Sequence, residues 1–306
     1  MNFSGRTEIP FFGITMDVLA KSNLSVLGIP WDASSSHRKG AAAAPAAIRQ
    51  STTGVLYNKY SEYRNIDLAA KWRIYDHCDA ILQTSDAIEA REEISESIRF
   101  IVNVMKEFRF LFLGGDHLST YFSFHSLAEI CRTKGKSLGI VYLDAHPDLY
   151  AEYEGDKYSH GCVLRRIIEE TEINPRNIVQ AGIRAATPEQ LEYIQELGIT
   201  YFSRKDFQES GGLETGARVK LALEQVADLV YLSIDLDVLD PAFAPGVGNP
   251  EPGGLATFEV VDFIHSLAGL PIFALDVVEL CPVHDHSNIT AFAAAKLIKE
   301  TLGIMK

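Results

Sequence analysis

The chain has 306 residues, of which 47% are hydrophobic and 23% are charged, a composition typical of a folded globular protein. Asp and Glu number 41 against 28 Lys and Arg, which gives a formal net charge of −13. This balance argues against a nucleic-acid or membrane partner and suits a small cationic ligand, although a solvated acidic surface is the simpler explanation of charge alone. No apolar stretch is long enough to span a membrane, and the first residues, MNFSGRTEIP, lack a signal-peptide core. We therefore expect a cytoplasmic protein, and in that reducing compartment its four cysteines should be free thiols.

Short apolar runs alternate with segments of helical spacing along the chain. The predicted strands lie at 24–28, 73–75, 109–113, 138–143, 177–182, 199–202, 229–234 and 272–275. The predicted helices lie at 86–107, 119–132, 160–170, 187–197, 213–228, 257–268 and 287–302. This alternation predicts βαβ units and a parallel sheet covered on both faces. No linker interrupts it, so we expect a single domain over residues 1–306. The compositionally unusual segment 33–47, ASSSHRKGAAAAPAA, is expected to be a loop that enters a helix near Ala46.

Acidic residues and histidines follow four of the predicted strands. His117 lies in GGDHLST, the DAHPD segment follows the strand at 138–143, SIDLDVLDP carries Asp235 and Asp237, and ALDVVEL carries Asp276 and Glu279. In full, these residues are His117, Asp144, His146, Asp148, Asp235, Asp237, Asp276 and Glu279. Because the carboxyl ends of parallel strands meet at one edge of a sheet, we expect these side chains to converge there.

A cluster of this composition indicates bound cations. Residues i and i+2 of a strand face the same side, so Asp235 and Asp237 can point at one object, as can Asp144, His146 and Asp148. Facing carboxylates repel one another and are costly to bury without a counter-charge. Four carboxylates and two imidazoles can hold two divalent ions if two of the carboxylates bridge, and such an oxygen-rich set favours Mn²⁺ over structural zinc. A pair of divalent ions activates water near neutral pH, which points to hydrolysis.

Three motifs, LGGDHLST, IVYLDAHPD and SIDLDVLDPAFAPG, resemble the signature motifs of the ureohydrolase family, which includes arginase, agmatinase, guanidinobutyrase and formiminoglutamase. The resemblance extends from GIPWDASSSHRKGAAAAPAAIR near the N-terminus to AFAAAKLI near the C-terminus. It implies a three-layer αβα fold with a mostly parallel sheet of roughly eight strands. It also implies two Mn²⁺ per subunit and a homo-oligomer, either a trimer or a hexamer.

The same resemblance implies a role for each matched residue. One manganese would be held by His117, Asp144, Asp148 and Asp235, and the other by Asp144, His146, Asp235 and Asp237. Asp148 would also take a proton from the attacking water and pass it to the leaving amine. Glu279 resembles the family's partner for the guanidinium group, and His160 resembles its proton-shuttle histidine.

The substrate prediction depends on two loops. The segment LYAEYEGDKYSHG lacks the Ser-Gly-Asn pattern with which arginases hold an amino acid, and it carries the acids Glu152, Glu154 and Asp156. The later GNPEPGGLA is similar to the TGTPEPGGL of agmatinases, although Val247 and Asn249 replace its threonines and Cys162 follows His-Gly. Agmatine, hydrolysed to putrescine and urea, is therefore the preferred substrate. Arginine and 4-guanidinobutyrate are alternatives.

Several alternatives to this interpretation are left open by the sequence. A deacetylase-like amidohydrolase would hold one zinc ion and would not use His117 and Asp237. An inactive homologue would serve as a binding or assembly subunit. The segment VHDHSN at 283–288 resembles a third metal motif, but Asp285 or Ser287 as a helix cap is the simpler explanation. His37 and Arg38 are candidates for the pocket mouth, and solvated loop residues would fit them equally.

Overall fold

The protein is described here by a computed structural model, which covers residues 11–14, 18–53, 56–105 and 107–306. Its strands are β1 Leu24–Gly28, β2 Ile74–Asp79, β3 Phe110–Leu113, β4 Leu138–Leu143, β5 Ile178–Ile183, β6 Thr200–Ser203, β7 Leu229–Asp235 and β8 Ile272–Val278. They form one sheet in the order β2-β1-β3-β8-β7-β4-β5-β6, and each pair of neighbouring strands is parallel. The predicted parallel sheet is thus confirmed.

Helices cover both faces of this sheet. They are α1 Ala44–Ser51, α2 Leu68–Lys71, α3 Ala87–Val104, α4 Leu118–Thr133, α5 Val163–Glu170, α6 Pro188–Leu197, α7 Arg204–Leu223, α8 Thr257–Ser266 and α9 Ile289–Ile304. Alternate residues of each central strand belong to two separate apolar clusters: Leu111 and Leu113 pack with α1, α7, α8 and α9, whereas Phe110 and Phe112 pack with α3 and α4. Strands buried on both faces explain the continuous apolar runs in the sequence.

Two strands extend beyond their predicted ends into polar residues. β2 continues to Asp79 because the guanidinium of Arg49 on α1 donates to both oxygens of buried Asp76, at 2.8 and 2.9 Å. β8 continues through Asp276, whose buried carboxylate accepts hydrogen bonds from Thr120 and Tyr231. A carboxylate can lie inside a sheet when such partners satisfy it, and these partners are remote in sequence.

Local capping explains the remaining differences in the helices. α7 begins at Arg204 rather than at 213, because the Ser203 hydroxyl accepts from Asp206 N while the Asp206 carboxylate accepts from Ser203 N. Gly211, with φ 77°, interrupts α7, which explains why the sequence pattern predicts a helix only from residue 213. Asp285 accepts from the backbone N–H groups of Thr290 and Ala291, so this carboxylate caps α9 as predicted, although Asn288 occupies the cap position itself. None of the helices in the described ranges has both the length and the apolar character needed to cross a membrane.

Candidate metal centre

The predicted site residues lie at the carboxyl ends of four strands that are consecutive in the sheet, β3, β8, β7 and β4. The loop after β3 supplies His117, the loop after β4 supplies residues 144–148, β7 ends at Asp235, and Glu279 follows β8. The expected convergence of these four segments is therefore found. It follows from the parallel sheet, which places all four strand ends on one edge.

Tight backbone packing fixes these loops. Asp148 and Glu279 have positive φ angles of 51° and 66°, a conformation that costs a non-glycine residue about 1–2 kcal/mol. The Glu279 N–H donates to the carbonyl of Gly115 at 2.9 Å, and a Cβ on Gly115 would lie 1.8 Å from the carbonyl oxygen of Trp31. Only glycine fits against Trp31 here, and the hydrogen bond from Glu279 places the turn after β3 directly against the loop after β8.

Three carboxylates surround the imidazole of His117. Its Nδ1 atom lies 2.9 Å from Asp235 Oδ2, 3.0 Å from Asp144 Oδ2 and 3.3 Å from Asp148 Oδ2. All four side chains are buried. Four predicted ligands of one metal ion thus lie together.

A second group shares Asp144 with the first. His146 Nδ1 lies 2.9 Å from Asp237 Oδ2 and 3.6 Å from Asp144 Oδ1. One ligand atom from each of Asp144, His146 and Asp237 can be chosen so that all lie within 4.8 Å of one another. The structure therefore brings together all six predicted metal ligands, in two groups that adjoin at Asp144.

Backbone amides orient the acids toward the centre. Asp144 Oδ1 accepts from His146 N, Asp235 Oδ1 accepts from Asp237 N, and Asp237 Oδ1 accepts from Ala145 N. In each case one oxygen is held by the backbone, while Oδ2 of the same carboxylate faces a histidine. The aspartates are thus oriented by the chain itself.

The charge of this cluster fits divalent cations. Burial and the neighbouring carboxylates of Asp237 and Asp144 raise the pKa of Asp235 well above its ordinary value. No hydrogen bond reaches the buried Oδ2 of Asp144 from the described residues. Arg184 interacts electrostatically with Asp237 and Asp144, but its guanidinium donates to backbone carbonyls, among them those of Asp237 and Glu251. Two divalent cations would neutralise the four acids and satisfy the free oxygen of Asp144, and oxygen donors with imidazole suit Mn²⁺.

Tyr142 belongs to the same cluster and was not identified from the sequence. Its ring stacks on the His117 imidazole, with a centroid distance of 4.5 Å and an interplanar angle of 3°. Its hydroxyl donates to Asp148 Oδ2 at 2.7 Å and lies 3.2 Å from His117 Nδ1. Tyr142 lies two residues before Asp144 on β4, so the two-residue period of a strand could have revealed it.

We expect Tyr142→Phe to weaken Mn²⁺ binding about tenfold, because groups that orient metal ligands contribute on that scale. Calorimetric titration of metal-free protein with Mn²⁺ measures this change in affinity without turnover. Tyr231→Phe is a matched control, since Tyr231 is an equally buried tyrosine whose hydroxyl donates to Asp276 and contacts Ser123. Equal Mn²⁺ affinities in the two variants would contradict the role of the Tyr142 hydroxyl.

Glu279 and His160 form a pair beside the metal cluster. His160 Nδ1 lies 2.9 Å from Glu279 Oε1, which also accepts from the backbone N–H of His117. The other oxygen, Glu279 Oε2, is buried and accepts no hydrogen bond from the described residues. Burial lowers the pKa of His160, but the carboxylates of Glu279, Asp116 and Asp148 outweigh it and raise the pKa to about 9. Both predicted catalytic partners of Asp148 therefore adjoin the cluster.

A cavity of about 160 Å³ opens onto these groups. Its wall includes five of the six predicted metal ligands, namely His117, His146, Asp148, Asp235 and Asp237, together with His160 and Glu279. Asn249 also lines it, whereas Val247 is buried in the apolar core, so only one of the two threonine replacements faces the cavity.

The loop predictions need correction. Glu152, Glu154 and Asp156 are exposed and do not line the cavity. The residues of the same loop that do line it are Tyr150 and Tyr153. The acids therefore cannot contact a substrate there, because their side chains extend into solvent.

The segment 33–47 likewise contributes a different residue from those considered. Neither His37 nor Arg38 lines the cavity, but Ser36 does. Cys162 is fully buried, and burial raises the pKa of its thiol to about 12, as for a packing residue rather than a reactive thiol.

The model of the Arginase family matches residues 22–303. The chain belongs to the arginase family. Among curated proteins, this arginase-family chain is 34% identical to an agmatinase of Salmonella paratyphi B over 283 residues, which cover 91% of this chain and 86% of the relative. Among solved structures, the proclavaminate amidino hydrolase of Streptomyces clavuligerus matches with a TM-score of 0.86 at 32% identity, over 97% of both chains. The agmatine ureohydrolase of Thermoplasma volcanium matches with a TM-score of 0.81 at 27% identity, over 97% of this chain and 94% of that one.

These similarities confirm the predicted family and the predicted α/β fold. They also confirm the predicted class of enzyme, a hydrolase that acts on carbon–nitrogen bonds of guanidino compounds. Family membership favours this class over the zinc deacetylase alternative.

Proposed function

We propose that this arginase-family enzyme binds two Mn²⁺ and hydrolyses agmatine to putrescine and urea. One observation carries the proposal: the buried cluster of acids and histidines adjoins a cavity lined by Glu279, whose Oε2 has no hydrogen-bond partner among the described residues. A planar guanidinium suits such a partner, because its N–H groups donate and carry the opposite charge.

Each residue has a defined task in this reaction. Glu279 Oε2 accepts hydrogen bonds from the guanidinium and holds its carbon beside the cluster. When bound, two divalent ions would supply Lewis-acid activation of water near neutral pH. Asp148 takes a proton as the new carbon–oxygen bond forms and passes it to the leaving nitrogen as the carbon–nitrogen bond breaks. His160 then gives the second proton that converts the leaving amine to its ammonium form. Urea and an amine are the products.

The lining of the cavity supports a substrate without a carboxylate. Among the described residues that line it, none is lysine or arginine, whereas Tyr150 and Tyr153 contribute aromatic rings. A distal ammonium group is tolerated by such a lining, and a carboxylate would be desolvated without a cationic partner. The agmatinase relative at 34% identity adds independent support for agmatine.

Gln190 favours a second candidate, a guanidino acid such as 4-guanidinobutyrate. This buried side chain also lines the cavity, and its Oε1 is held by the N–H of Thr187. Its Nε2 has no hydrogen-bond partner among the described residues. That amide group can only donate, so it would suit a substrate with an acceptor at its distal end.

Urea release from agmatine, arginine, 4-guanidinobutyrate and free guanidine, each offered to Mn²⁺-loaded protein, tests the proposal. We expect agmatine to be preferred, and chelator-treated protein should release no urea from it. Preference for 4-guanidinobutyrate would keep the metal chemistry and replace the substrate. If none of the four compounds released urea, the alternative of an inactive homologue that acts as a binding or assembly subunit would be favoured instead. The cytoplasmic location and the homo-oligomeric assembly stay predictions from the sequence.

A further inference from the structure

The serine-rich part of segment 33–47 is fixed against the candidate site. Ser34 N and Ser35 Oγ donate to Oδ2 of buried Asp116, at 2.9 and 3.3 Å. Trp31 Nε1 donates to Ser34 Oγ at 2.8 Å, and His160 N donates to the carbonyl of Ser34 at 3.2 Å. These contacts place the next residue, Ser36, beside the His160 ring.

Three polar groups, two from Ser36 and one from Asn249, surround His160 Nε2. Ser36 Oγ lies 2.7 Å away, Ser36 N donates from 3.2 Å, and Asn249 Nδ2 lies 3.4 Å away. A backbone N–H and an amide NH₂ can only donate. In the neutral ring, Nε2 therefore carries the lone pair, and Nδ1–H donates to Glu279 Oε1.

Of these three neighbours, only the Ser36 hydroxyl can both donate and accept a proton. His160 is 7% exposed, whereas Ser36 is exposed to solvent and lines the cavity. The hydroxyl is thus the group in contact with Nε2 that links the buried ring to water.

We propose that Ser36 is a positioning residue that acts through His160, holding the imidazole against Glu279 and resupplying its Nε2 with protons from solvent. This inference rests on the proposed function. When His160 gives its Nε2 proton to the leaving amine, the Ser36 Oγ–H proton moves to Nε2 while a proton from water moves to Ser36 Oγ. Ser36 ends unchanged, and the net result is one proton transferred from solvent to the amine.

Ser36→Ala removes the hydroxyl and keeps the backbone N–H. We expect kcat to fall about tenfold to hundredfold, with KM and the Mn²⁺ stoichiometry nearly unchanged, since general acid–base steps contribute at least on this scale. Added imidazole buffer should restore part of the rate, and Ser36→Thr, which keeps a hydroxyl, should retain most of it. Ser97→Ala is the control, because the Ser97 hydroxyl donates to the carbonyl of Glu93 within α3 and does not line the cavity.

A raised KM with unchanged kcat in Ser36→Ala would assign Ser36 to substrate binding and overturn the proposal. Unchanged kinetics, or an equal loss in Ser36→Thr, would also overturn it. The ¹⁵N resonances of His160, assigned with His160→Gln, give a readout that requires no turnover. Wild-type protein should show a hydrogen-bonded, unprotonated Nε2 at high pH, and Ser36→Ala should shift that resonance. Identical spectra would overturn the proposal, whereas wild-type protein that releases no urea would overturn only the proposed function.

Discussion

Replacement of Asp235 by asparagine is expected to abolish Mn²⁺-dependent urea release, with a loss of about a thousandfold or more in kcat. Asp235 Oδ2 lies 2.9 Å from His117 Nδ1, and this carboxylate is one of those that would hold the metal ions. Asparagine keeps the shape but removes the charge that two cations require. Metal ions contribute several kcal/mol of transition-state stabilisation, and about 4 kcal/mol corresponds to about a thousandfold in rate. Steady-state urea assays with metal analysis of the same sample measure both losses.

The same substitution should stabilise the protein when metal is absent. In chelator-treated protein, Asp235 lies among the buried carboxylates of Asp144, Asp148 and Asp237. Removing one of four facing acids lowers their repulsion and the cost of burying them. We therefore expect metal-free Asp235→Asn to melt at a higher temperature than metal-free wild type, whereas added Mn²⁺ should raise the melting temperature of wild type alone.

His286→Ala is the control for this experiment. His286 is exposed in the VHDHSN segment and lies outside both ligand groups, so activity and metal content should be unchanged. If Asp235→Asn kept two Mn²⁺ and full activity, or if His286→Ala lost them, the assignment of the metal centre would be wrong.

Glu279→Gln should reduce kcat/KM about a hundredfold or more while both metal ions stay bound. One carboxylate oxygen, Oε1, contacts His160 Nδ1 and accepts from His117 N, and the other, Oε2, is buried without a hydrogen-bond partner among the described residues. Glutamine replaces the charge with a neutral amide that cannot accept from the guanidinium at both oxygens. Loss of a hydrogen bond to a charged group costs about 1.5–3 kcal/mol. At the upper end this is about a hundredfold in rate, and the partnership with His160 is lost in addition.

Glu300→Gln provides a matched comparison, because Glu300 is also a buried glutamate paired with a histidine, His265 Nε2, at 2.9 Å. Glu300 does not line the cavity, and its partners join α9 to residues 61–63. We expect Glu300→Gln to lower the melting temperature and to leave kcat/KM within about twofold. An equal loss of activity in both variants would mean that Glu279→Gln acts through general destabilisation.

The metal ligands could be predicted from the sequence because they obey local rules. Residues at i and i+2 after an apolar strand face one side, and the ends of parallel strands meet, so the convergence of the six candidate ligands could be predicted without coordinates. The extents of β2 and β8 could not be predicted in this way. In the sequence, Asp76 and Asp276 look like the ends of their strands. In the structure Arg49 and Tyr231, which belong to other elements, form hydrogen bonds with these carboxylates and allow the strands to continue.

The cavity wall was predicted less well than the ligands. Ser36 lies in a segment without periodicity, and its contact with His160 spans 124 residues of sequence, which no local pattern encodes. The acids of the 149–158 loop were expected to select the substrate, but side-chain direction in an irregular loop depends on tertiary packing. In the structure Tyr150 and Tyr153 face the cavity and the acids face solvent.

The order of the sheet also determines when the site can form during folding. The hydrogen bond from His117 N to Glu279 joins residues 162 positions apart, and β3 pairs with β8 at the centre of the sheet. Contacts of such separation require closure of long chain segments and form slowly. Metal uptake during refolding should therefore follow assembly of the four central strands and report on a late step. Because apolar cores on both faces hold those strands, the chain should reach its sheet even when a chelator is present.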